Sequence, residues 1–321
     1  MLFDMVLKKT SALLAAMLTI AAALSFLHLP GANLQMAAFA FLSSAALCSL
    51  SDFNLRTQYC ILMIAGAAAV QFLIGITGNH PLLRIIFSIL FSFFILFEMP
   101  DRQLAVIVLI VGCLTLFAPP GVTASLNRCM DIVFAGTAVL LVTSASNIFR
   151  SDLPDTTPTL RPYTVAQAAV ITAELAAGFI IFQISGHEQA AWIMLTILFI
   201  HMAENPRSAL PDLVRWRIIA TPLGILAGGL FLACFNSTNY QLIYLVPLTG
   251  TLSFFMLYLK NDYFLFTFLF IFTLTLFTDW MLGTGSRFHF TDILLTRSAA
   301  AMIGGVLLLC GKNLMPKESA S

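Results

Sequence analysis

Long apolar runs separated by short polar breaks cover almost the whole chain. A helix needs roughly 20 apolar residues to cross the hydrocarbon core of a bilayer, and most of the runs are close to this length. The pattern therefore predicts an all-α polytopic membrane protein with about 12 transmembrane helices. The predicted spans are residues 10–29, 34–50, 58–77, 82–98, 102–118, 128–149, 165–185, 189–204, 216–235, 241–259, 263–282 and 292–311.

The breaks between spans differ in strength. The shortest are Met99-Pro100-Asp101, between the fourth and fifth spans, and Lys260-Asn261-Asp262, between the tenth and eleventh. The longest is the polar stretch 150–164, which carries three prolines. Proline fixes φ and has no N–H, so this stretch predicts an extended linker at the midpoint of the chain.

The two halves share short motifs in the same order. Leu114–Phe117 reads LTLF, as does Leu274–Phe277, and Arg128 and Arg297 are each followed eight residues later by a glycine. Six spans per half is an even number, so the halves share one orientation and form two parallel six-helix repeats. The predicted organisation is a first repeat at 1–149, a cytoplasmic linker at 150–164, and a second repeat with a short cytoplasmic tail at 165–321.

Composition and charge support the lipid bilayer as the surrounding medium. The 321 residues are 60% hydrophobic and only 10% charged, whereas soluble domains are about 25% charged. The net charge of +1 argues against the strongly basic surface that a nucleic-acid-binding protein needs. With the N-terminus inside, only four of the 16 Lys and Arg residues lie on the opposite side, namely Arg84, Arg128, Arg287 and Arg297. This bias predicts that both termini are cytoplasmic.

Glu174 is an ionisable residue in the middle of the seventh span. Burial among apolar helices disfavours the charged carboxylate, so such a group can take up and release a proton as its access to water changes. Ala176, Ala177 and Gly178 follow it and would let another helix approach closely. The alternative is a structural carboxyl group that lines a polar cleft.

Arg128 and Arg297 lie within about two turns of the predicted outer ends of the sixth and twelfth spans. Arginine keeps its proton, so each of these charged side chains needs either an anionic partner or a water-filled entrance. Asp131 follows Arg128 by three residues and could pair with it on one helix face. The functional hypothesis is that the two arginines attract an anionic substrate; the alternative is a pair of anchors that reach lipid headgroups.

The ninth span is predicted to open at Arg217 and to contain Thr221 and Pro222. Proline removes a helix hydrogen bond, and a neighbouring threonine can satisfy the freed backbone group, so this region could flex or line a substrate path. His201, at the inner end of the eighth span, is predicted either to take part in a cytoplasmic gate or to lie at a solvated helix end. We also assign Asp131 and Arg217 to a gate or ion pair.

Signatures of catalysis and of cofactors are absent from the sequence. It contains no Walker A, HExxH or GxSxG motif. The histidines are isolated, and the six cysteines show no metal-ligand spacing. We therefore predict no enzyme, no cofactor and no metal site.

The run from Trp192 to Gly229 resembles the fusaric-acid-resistance and aromatic-acid exporter family, in its membrane portion only. The elements that carry the likeness are Trp192, Asn205-Pro206-Arg207, Arg217, Thr221 and Gly224, followed later by Arg297 with Gly304-Gly305. Ala220 stands where the family has glycine, and Pro222 is an addition. The resemblance implies a bacterial inner-membrane protein that exports aromatic carboxylic acids, is driven by the proton gradient, and works with a periplasmic adaptor protein.

The leading hypothesis is a proton-coupled exporter of small organic anions. In it, Arg128 and Arg297 attract the carboxylate, Glu174 carries the proton, and Thr221 and Pro222 line the path. A homo-oligomer is left open. The alternatives are a non-transporting membrane scaffold of an envelope complex, which predicts arginines facing lipid headgroups, and a lipid-modifying enzyme, which no motif supports.

Overall fold

The described part of the chain consists of helices and their connections. In the computed structural model, the described residues are 10, 11, 13–19, 39, 40, 42–44, 47, 53–77, 80–114, 121–147, 162–186, 188–202, 209–235, 239–260, 262–282 and 290–314. The first two predicted spans, 10–29 and 34–50, lie largely outside this set, as does most of the predicted linker.

From residue 53 onward, the described elements follow one another in a simple order. The α-helices are α1 (Phe53–Ile76), α2 (Pro81–Glu98), α3 (Arg102–Leu114), α4 (Val122–Asn147), α5 (Val165–Ser185), α6 (Trp192–Met202), α7 (Leu210–Phe235), α8 (Asn239–Lys260), α9 (Tyr263–Leu282) and α10 (Phe290–Gly311). A short 3-10 helix, Glu188–Ala191, precedes α6.

These elements confirm an all-helical membrane protein at a coarse level. All regular structure within the described residues is helical. Four segments there are long and apolar enough to cross a membrane: Val122–Ser144, Val165–Ser185, Leu210–Cys234 and Ile293–Gly311. The protein is thus a multi-pass helical membrane protein, while the figure of about 12 spans and the internal repeat stay predictions.

The chain divides into two compact units. Unit 1 comprises Met1–Ile64, Met130–Pro158 and Ile219–Leu295, and unit 2 comprises Ala65–Cys129, Thr159–Ile218 and Thr296–Ser321. Helices α2, α3, α5 and α6 fall entirely in unit 2, and α8 and α9 fall entirely in unit 1. The other helices, α1, α4, α7 and α10, contribute residues to both units.

Local sequence signals explain where several helices begin and end. The Thr164 hydroxyl accepts a hydrogen bond from the backbone N–H of Gln167 (3.2 Å), and the Gln167 side chain accepts one from the Thr164 N–H (3.1 Å), so a capping box starts α5. Gly186 ends α5 in the left-handed conformation, with φ of 63°. Helix α5 therefore coincides with the predicted span 165–185.

The two short breaks do separate helices, and an aspartate caps the second helix in each case. The Asp101 carboxylate accepts hydrogen bonds from the backbone N–H groups of Gln103 (2.8 Å) and Leu104 (3.3 Å) at the start of α3. The Asp262 carboxylate accepts one from Leu265 N–H (3.0 Å) at the start of α9. These bonds satisfy N–H groups in the first turn that have no partner within the helix. The aspartate therefore favours the start of a new helix at each break.

In unit 2, two short helices are buried almost completely. Helix α3 has 13 residues and α6 has 11, so at about 1.5 Å per residue both are shorter than a bilayer core. Every residue from Trp192 to Ile200 is buried. The two helices pack against each other, and glycines on neighbouring helices let α6 come close. A Cβ at Gly178 of α5 would lie 3.1 Å from the Met194 side chain, and one at Gly304 of α10 would lie 2.9 Å from the Ile193 oxygen.

In unit 1, α7 packs on α9 through two glycines spaced four residues apart. A Cβ on Gly224 would lie 2.8 Å from the backbone oxygen of Phe268, and one on Gly228 would lie 2.8 Å from the Cβ of Thr275. Helix α7 therefore approaches α9 closely at both glycines. Helix α9 also packs on α8 through a hydrogen bond from the Thr273 hydroxyl to that of Thr249 (2.9 Å).

The Gly224 contact predicts a matched pair of substitutions in unit 1. Gly224→Ala should lower stability by about 1–3 kcal/mol, because its methyl group would collide with the backbone of α9, which cannot rotate away. Gly250→Ala should be neutral or stabilising by up to about 1 kcal/mol, because alanine favours the helix and the nearest atom to its Cβ is 3.6 Å away. Thermal unfolding in detergent would measure both, and equal midpoints for the two variants would contradict the close packing of α7 on α9.

Candidate functional site

Glu174 is buried in unit 2 and paired with a histidine. Its side chain leaves α5 toward α6 and is 5% exposed. The His201 Nε2 atom, in the last turn of α6, lies 2.9 Å from Glu174 Oε2. The histidine side chain is itself only 11% exposed, so the interpretation of His201 as a solvated helix end is wrong. The sequence suggested each residue separately but gave no signal that they meet.

The end of α10 covers the other side of the Glu174 carboxyl group. Gly311 lies so close that a Cβ at this position would overlap the Glu174 carboxylate. The remaining oxygen, Oε1, is buried and has no hydrogen-bond partner among the described residues. Three helices, α5, α6 and α10, thus enclose one carboxyl group, and within the described part of the chain they satisfy only one of its two oxygen atoms.

The chemistry open to this pair is proton exchange. An isolated ionised carboxylate is costly in an apolar interior, and a single partner removes only part of that cost. A carboxyl group and an imidazole in hydrogen-bond contact can share one proton, and either group can release it when water reaches the pair. No cluster of three or more His, Cys, Asp or Glu side chains suited to a metal ion occurs among the described residues.

Arg297 lies in α10, toward the end opposite Gly311. Its guanidinium carbon is 4.2 Å from the centroid of the Trp192 ring at the start of α6, and the residue is 4% exposed. This is a cation–π contact in a desolvated setting. About 14 residues of α10 separate Arg297 from Gly311, so the arginine and the Glu174 carboxyl group are roughly 20 Å apart along the helix. These two predicted site residues do not form one cluster.

Arg128 has its own surroundings in unit 2. It is 6% exposed, and its Nη2 donates to the Ser125 hydroxyl at 3.1 Å. The Ser125 hydroxyl fills the space that a side chain at Gly75 would need. Arg84 of α2 lies close enough for its like charge to repel that of Arg128. Asp131, the predicted partner, belongs to unit 1, so that ion pair stays a prediction.

Arg217 does not open its helix, which corrects the predicted start of the ninth span. Helix α7 begins at Leu210, two turns earlier, and Arg217 is 1% exposed. Its guanidinium carbon lies 5.0 Å from the centroid of the Phe199 ring of α6. The signal for the earlier start was present in the sequence, because Pro211 and Asp212 are residue types that favour the first turn of a helix.

Thr221 and Pro222 lie in the part of α7 that belongs to unit 1. Thr221 is 3% exposed, and Pro222 is inside the helix, less than two turns before the close contact of Gly228 with α9. Their predicted part in a substrate path stays a prediction.

Sequence reasoning missed three residues that complete these surroundings. Gly311 closes over the carboxyl group, Trp192 lies over Arg297, and Arg84 approaches Arg128. In the sequence, Trp192 contributed to the family likeness and Arg84 to the charge bias across the membrane, and neither was assigned a partner. Each role depends on which helices are neighbours, and the periodicity of one helix does not contain that information.

The Glu174–His201 contact predicts energetic coupling between the two residues. His201→Ala should destabilise the protein by about 1–3 kcal/mol, because it leaves a buried carboxyl group without its partner. The double variant with Glu174→Ala should lose less than the sum of the two single variants, as expected for residues in contact. Thermal unfolding of the four proteins gives the coupling energy.

His80→Ala serves as the control for that cycle. His80 precedes α2, is exposed, and caps the helix with no side-chain hydrogen bond, so its removal should change little. Strict additivity of the Glu174 and His201 substitutions would show that the contact contributes no stability.

Comparison with known proteins shows a family likeness over the second half of the chain. Residues 175–311 match the family model described as fusaric acid resistance protein-like, which confirms the resemblance found in the sequence. This match indicates a membrane protein of an efflux type. His201, Arg217, Thr221, Pro222 and Arg297 lie inside the matched segment, whereas Arg84, Arg128 and Glu174 precede it. No curated protein and no solved structure matches the chain.

Proposed function

Because residues 175–311 are similar to a family of efflux membrane proteins, we propose that this chain exports small organic anions, chiefly aromatic carboxylic acids, in exchange for protons. The inner membrane of a bacterium and a cytoplasmic position of both termini are parts of the same proposal. The observation that carries it is the buried Glu174–His201 pair, with hydrogen-bonding atoms 2.9 Å apart. Intramembrane ionisable groups are costly and are kept mainly where they bind or move charge.

In this proposal, Glu174 takes up and releases the transported proton and His201 shares it. The pair cycles between two states: with one proton, shared between Glu174 and His201, it is neutral overall, and without that proton it consists of an ionised Glu174 and a neutral His201. One proton enters for each carboxylate that leaves. The Oε1 atom, which no described residue hydrogen-bonds, gives an incoming water molecule an acceptor, and the absence of a side chain at Gly311 leaves room for the carboxyl group itself.

Arg128 and Arg297 attract the carboxylate in the same proposal. The separation of Arg297 from Glu174 suits a carrier in which the anion and the proton bind at different sites, since an anion bound directly beside an ionised glutamate would be repelled. Thr221 and Pro222 line the path or flex in unit 1, and Asp131 and Arg217 contribute to its gating.

The scaffold alternative is less well supported. It predicts that Arg128 and Arg297 reach lipid headgroups, yet both side chains are at least nine-tenths buried within the protein. Anchors at a membrane surface keep their charged ends in water or among headgroups. One result would favour the scaffold: loss of the protein would change the assembly of an envelope complex without changing the tolerance of the cells to any acid.

Deletion and overexpression in a bacterial host test the exported class directly. Growth in a panel of benzoate, salicylate, cinnamate and fusaric acid should fall when the protein is deleted and recover when it is supplied. The effect should be larger at acidic external pH, because the inward proton gradient is then steeper. Unchanged tolerance and unchanged efflux for every acid in the panel would overturn the proposed substrate class.

Glu174→Gln tests proton coupling. A neutral amide cannot take up and release the proton, so gradient-driven flux of the acid in proteoliposomes should fall about ten-fold or more, an effect of at least about 1.4 kcal/mol on the transport step. Glu98→Gln is the matched control, because Glu98 is exposed at the end of α2. Wild-type flux in the Glu174→Gln protein, at equal protein level, would remove Glu174 from the coupling mechanism.

A further inference from the structure

Two arginines on different helices of unit 2 lie near the place where the end of α1 meets the starts of α2 and α4. Arg84 is in the first turn of α2 and Arg128 is in the second turn of α4. Arg128 is buried and Arg84 is partly buried, and their like charges interact. Repulsion between two poorly hydrated cations is unfavourable and grows as water is excluded. An anion between them would convert that repulsion into attraction.

Backbone hydrogen bonds hold the two helix starts next to the end of α1. The N–H of His80 donates to the carbonyl of Thr77 at 2.9 Å, which places the start of α2 directly after α1. The N–H of Gly121 donates to the carbonyl of Gly75 at 3.2 Å, which fixes the start of α4 at the same place. Arg84 and Arg128 therefore start from neighbouring helix ends, and a Cβ on Gly75 would lie 3.1 Å from Nη2 of Arg128, which places that guanidinium group at the junction of the three helices.

The immediate surroundings supply donors for an anion. The Arg84 Nε–H is buried and has no hydrogen-bond partner among the described residues. The Ser125 hydroxyl is not one of these donors, because it accepts from Arg128 Nη2 at 3.1 Å and donates to the Gly121 carbonyl oxygen at 2.7 Å. A pair of guanidinium forks is a donor set that suits a carboxylate or a phosphate, both of which accept two parallel N–H hydrogen bonds.

A largely apolar pocket begins one turn farther along α2. Ser88 and Ser92 follow Arg84 at intervals of four residues, so the three residues share one face of the helix. Both serines line the pocket, together with Leu175 and Phe179 of α5. The buried Ser88 hydroxyl has no partner among the described residues. This face of α2 therefore carries a positive charge at one end, and apolar side chains and two hydroxyl groups farther along. An anion with an apolar body would match both parts.

We propose that Arg84 and Arg128 together hold one oxyanion, either the carboxylate of the exported acid or a lipid phosphate. The carboxylate version rests on the proposed function and deepens it, because it gives Arg128 a partner other than Arg297. The phosphate version is independent of transport. In both versions Arg84 is a binding residue, and removing either arginine removes half of the same site.

Binding to the purified full-length protein in nanodiscs of phosphatidylcholine tests the site. The probes are benzoate and inorganic phosphate, measured by calorimetry, and phosphatidylglycerol, added to the disc and followed by native mass spectrometry. The variants are Arg84→Gln, Arg128→Gln and the double variant. The control is Arg215→Gln, because Arg215 is exposed and lies 5.4 Å from the ring of Trp216 in α7.

The expected result is that each single variant weakens binding of the same probe by about ten-fold or more, as for the loss of a charge-assisted contact. The double variant should be little worse than either single variant, because both residues hold one ion. Arg215→Gln should bind as the wild type does. Benzoate dependence assigns the site to the exported acid, whereas dependence confined to phosphatidylglycerol assigns it to a lipid headgroup.

Thermal unfolding separates this outcome from misfolding. Without an anion, Arg84→Gln should unfold at the wild-type temperature or slightly above it, since a repulsion has been removed. Addition of the anion should raise the midpoint of the wild type but not that of Arg84→Gln. Arg84→Lys should recover part of the shift, because it restores the charge without the fork.

If Arg84→Gln leaves the binding of every probe unchanged, the shared site is overturned, whatever the effect of Arg128→Gln. The proposed function can fail separately. A protein that moves no acid in the flux assay but binds phosphatidylglycerol through both arginines would retain the oxyanion site and lose the transport role.

Discussion

The burial of charge among apolar helices is the constraint on which unit 2 depends. A carboxylate or guanidinium group removed from water loses several kcal/mol of solvation, and only well-placed partners offset that loss. The described part of unit 2 buries Glu174, Arg128, Arg217 and Arg297 at 6% exposure or less. Each therefore needs an environment that the surrounding helices build for it, so the packing of those helices and the positions of the charges cannot be considered separately.

Helix α6 supplies much of that environment. It is short, it is buried along nearly its whole length, and three of its side chains each meet an ionisable group from another helix. Trp192 meets Arg297 of α10, Phe199 meets Arg217 of α7, and His201 meets Glu174 of α5. Two of these contacts are cation–π contacts, which stabilise a guanidinium without placing a second charge in the interior. The aromatic side chains of α6 can therefore contact buried guanidinium groups although they carry no charge themselves.

The sequence predicted much of the fold but little of this arrangement. Apolar length gave the extents of α5 and α9, and aspartates at the breaks gave the starts of α3 and α9, because these signals are local. Glu174 and the arginines were identified because an ionisable group in an apolar run is conspicuous. Their partners were not identified: His201 was assigned to a gate or a solvated helix end rather than to Glu174, and Trp192 and Phe199 were assigned no contact with a charge, because these contacts arise only from neighbouring helices. The start of α7 was placed too late because Arg217 was interpreted as a membrane-surface charge, whereas the protein interior accommodates it.

The spacing of the contacts along α6 has a mechanical consequence. Trp192 and His201 belong to one continuous helix of 11 residues, which is a stiff rod about 16 Å long. Arg297 and Gly311 belong to the same helix α10, whose Gly304 touches the backbone of α6 at Ile193. A contact with a backbone oxygen allows no rearrangement of side chains, so α6 cannot slide along α10 without disturbing Gly304. Any displacement of α6 changes its contacts with Arg297 and with Glu174 together, because both are made by the same rod. The site of the cation and the site of the carboxyl group are therefore far apart in distance but joined by a single rigid element, so a displacement of α6 would reach both.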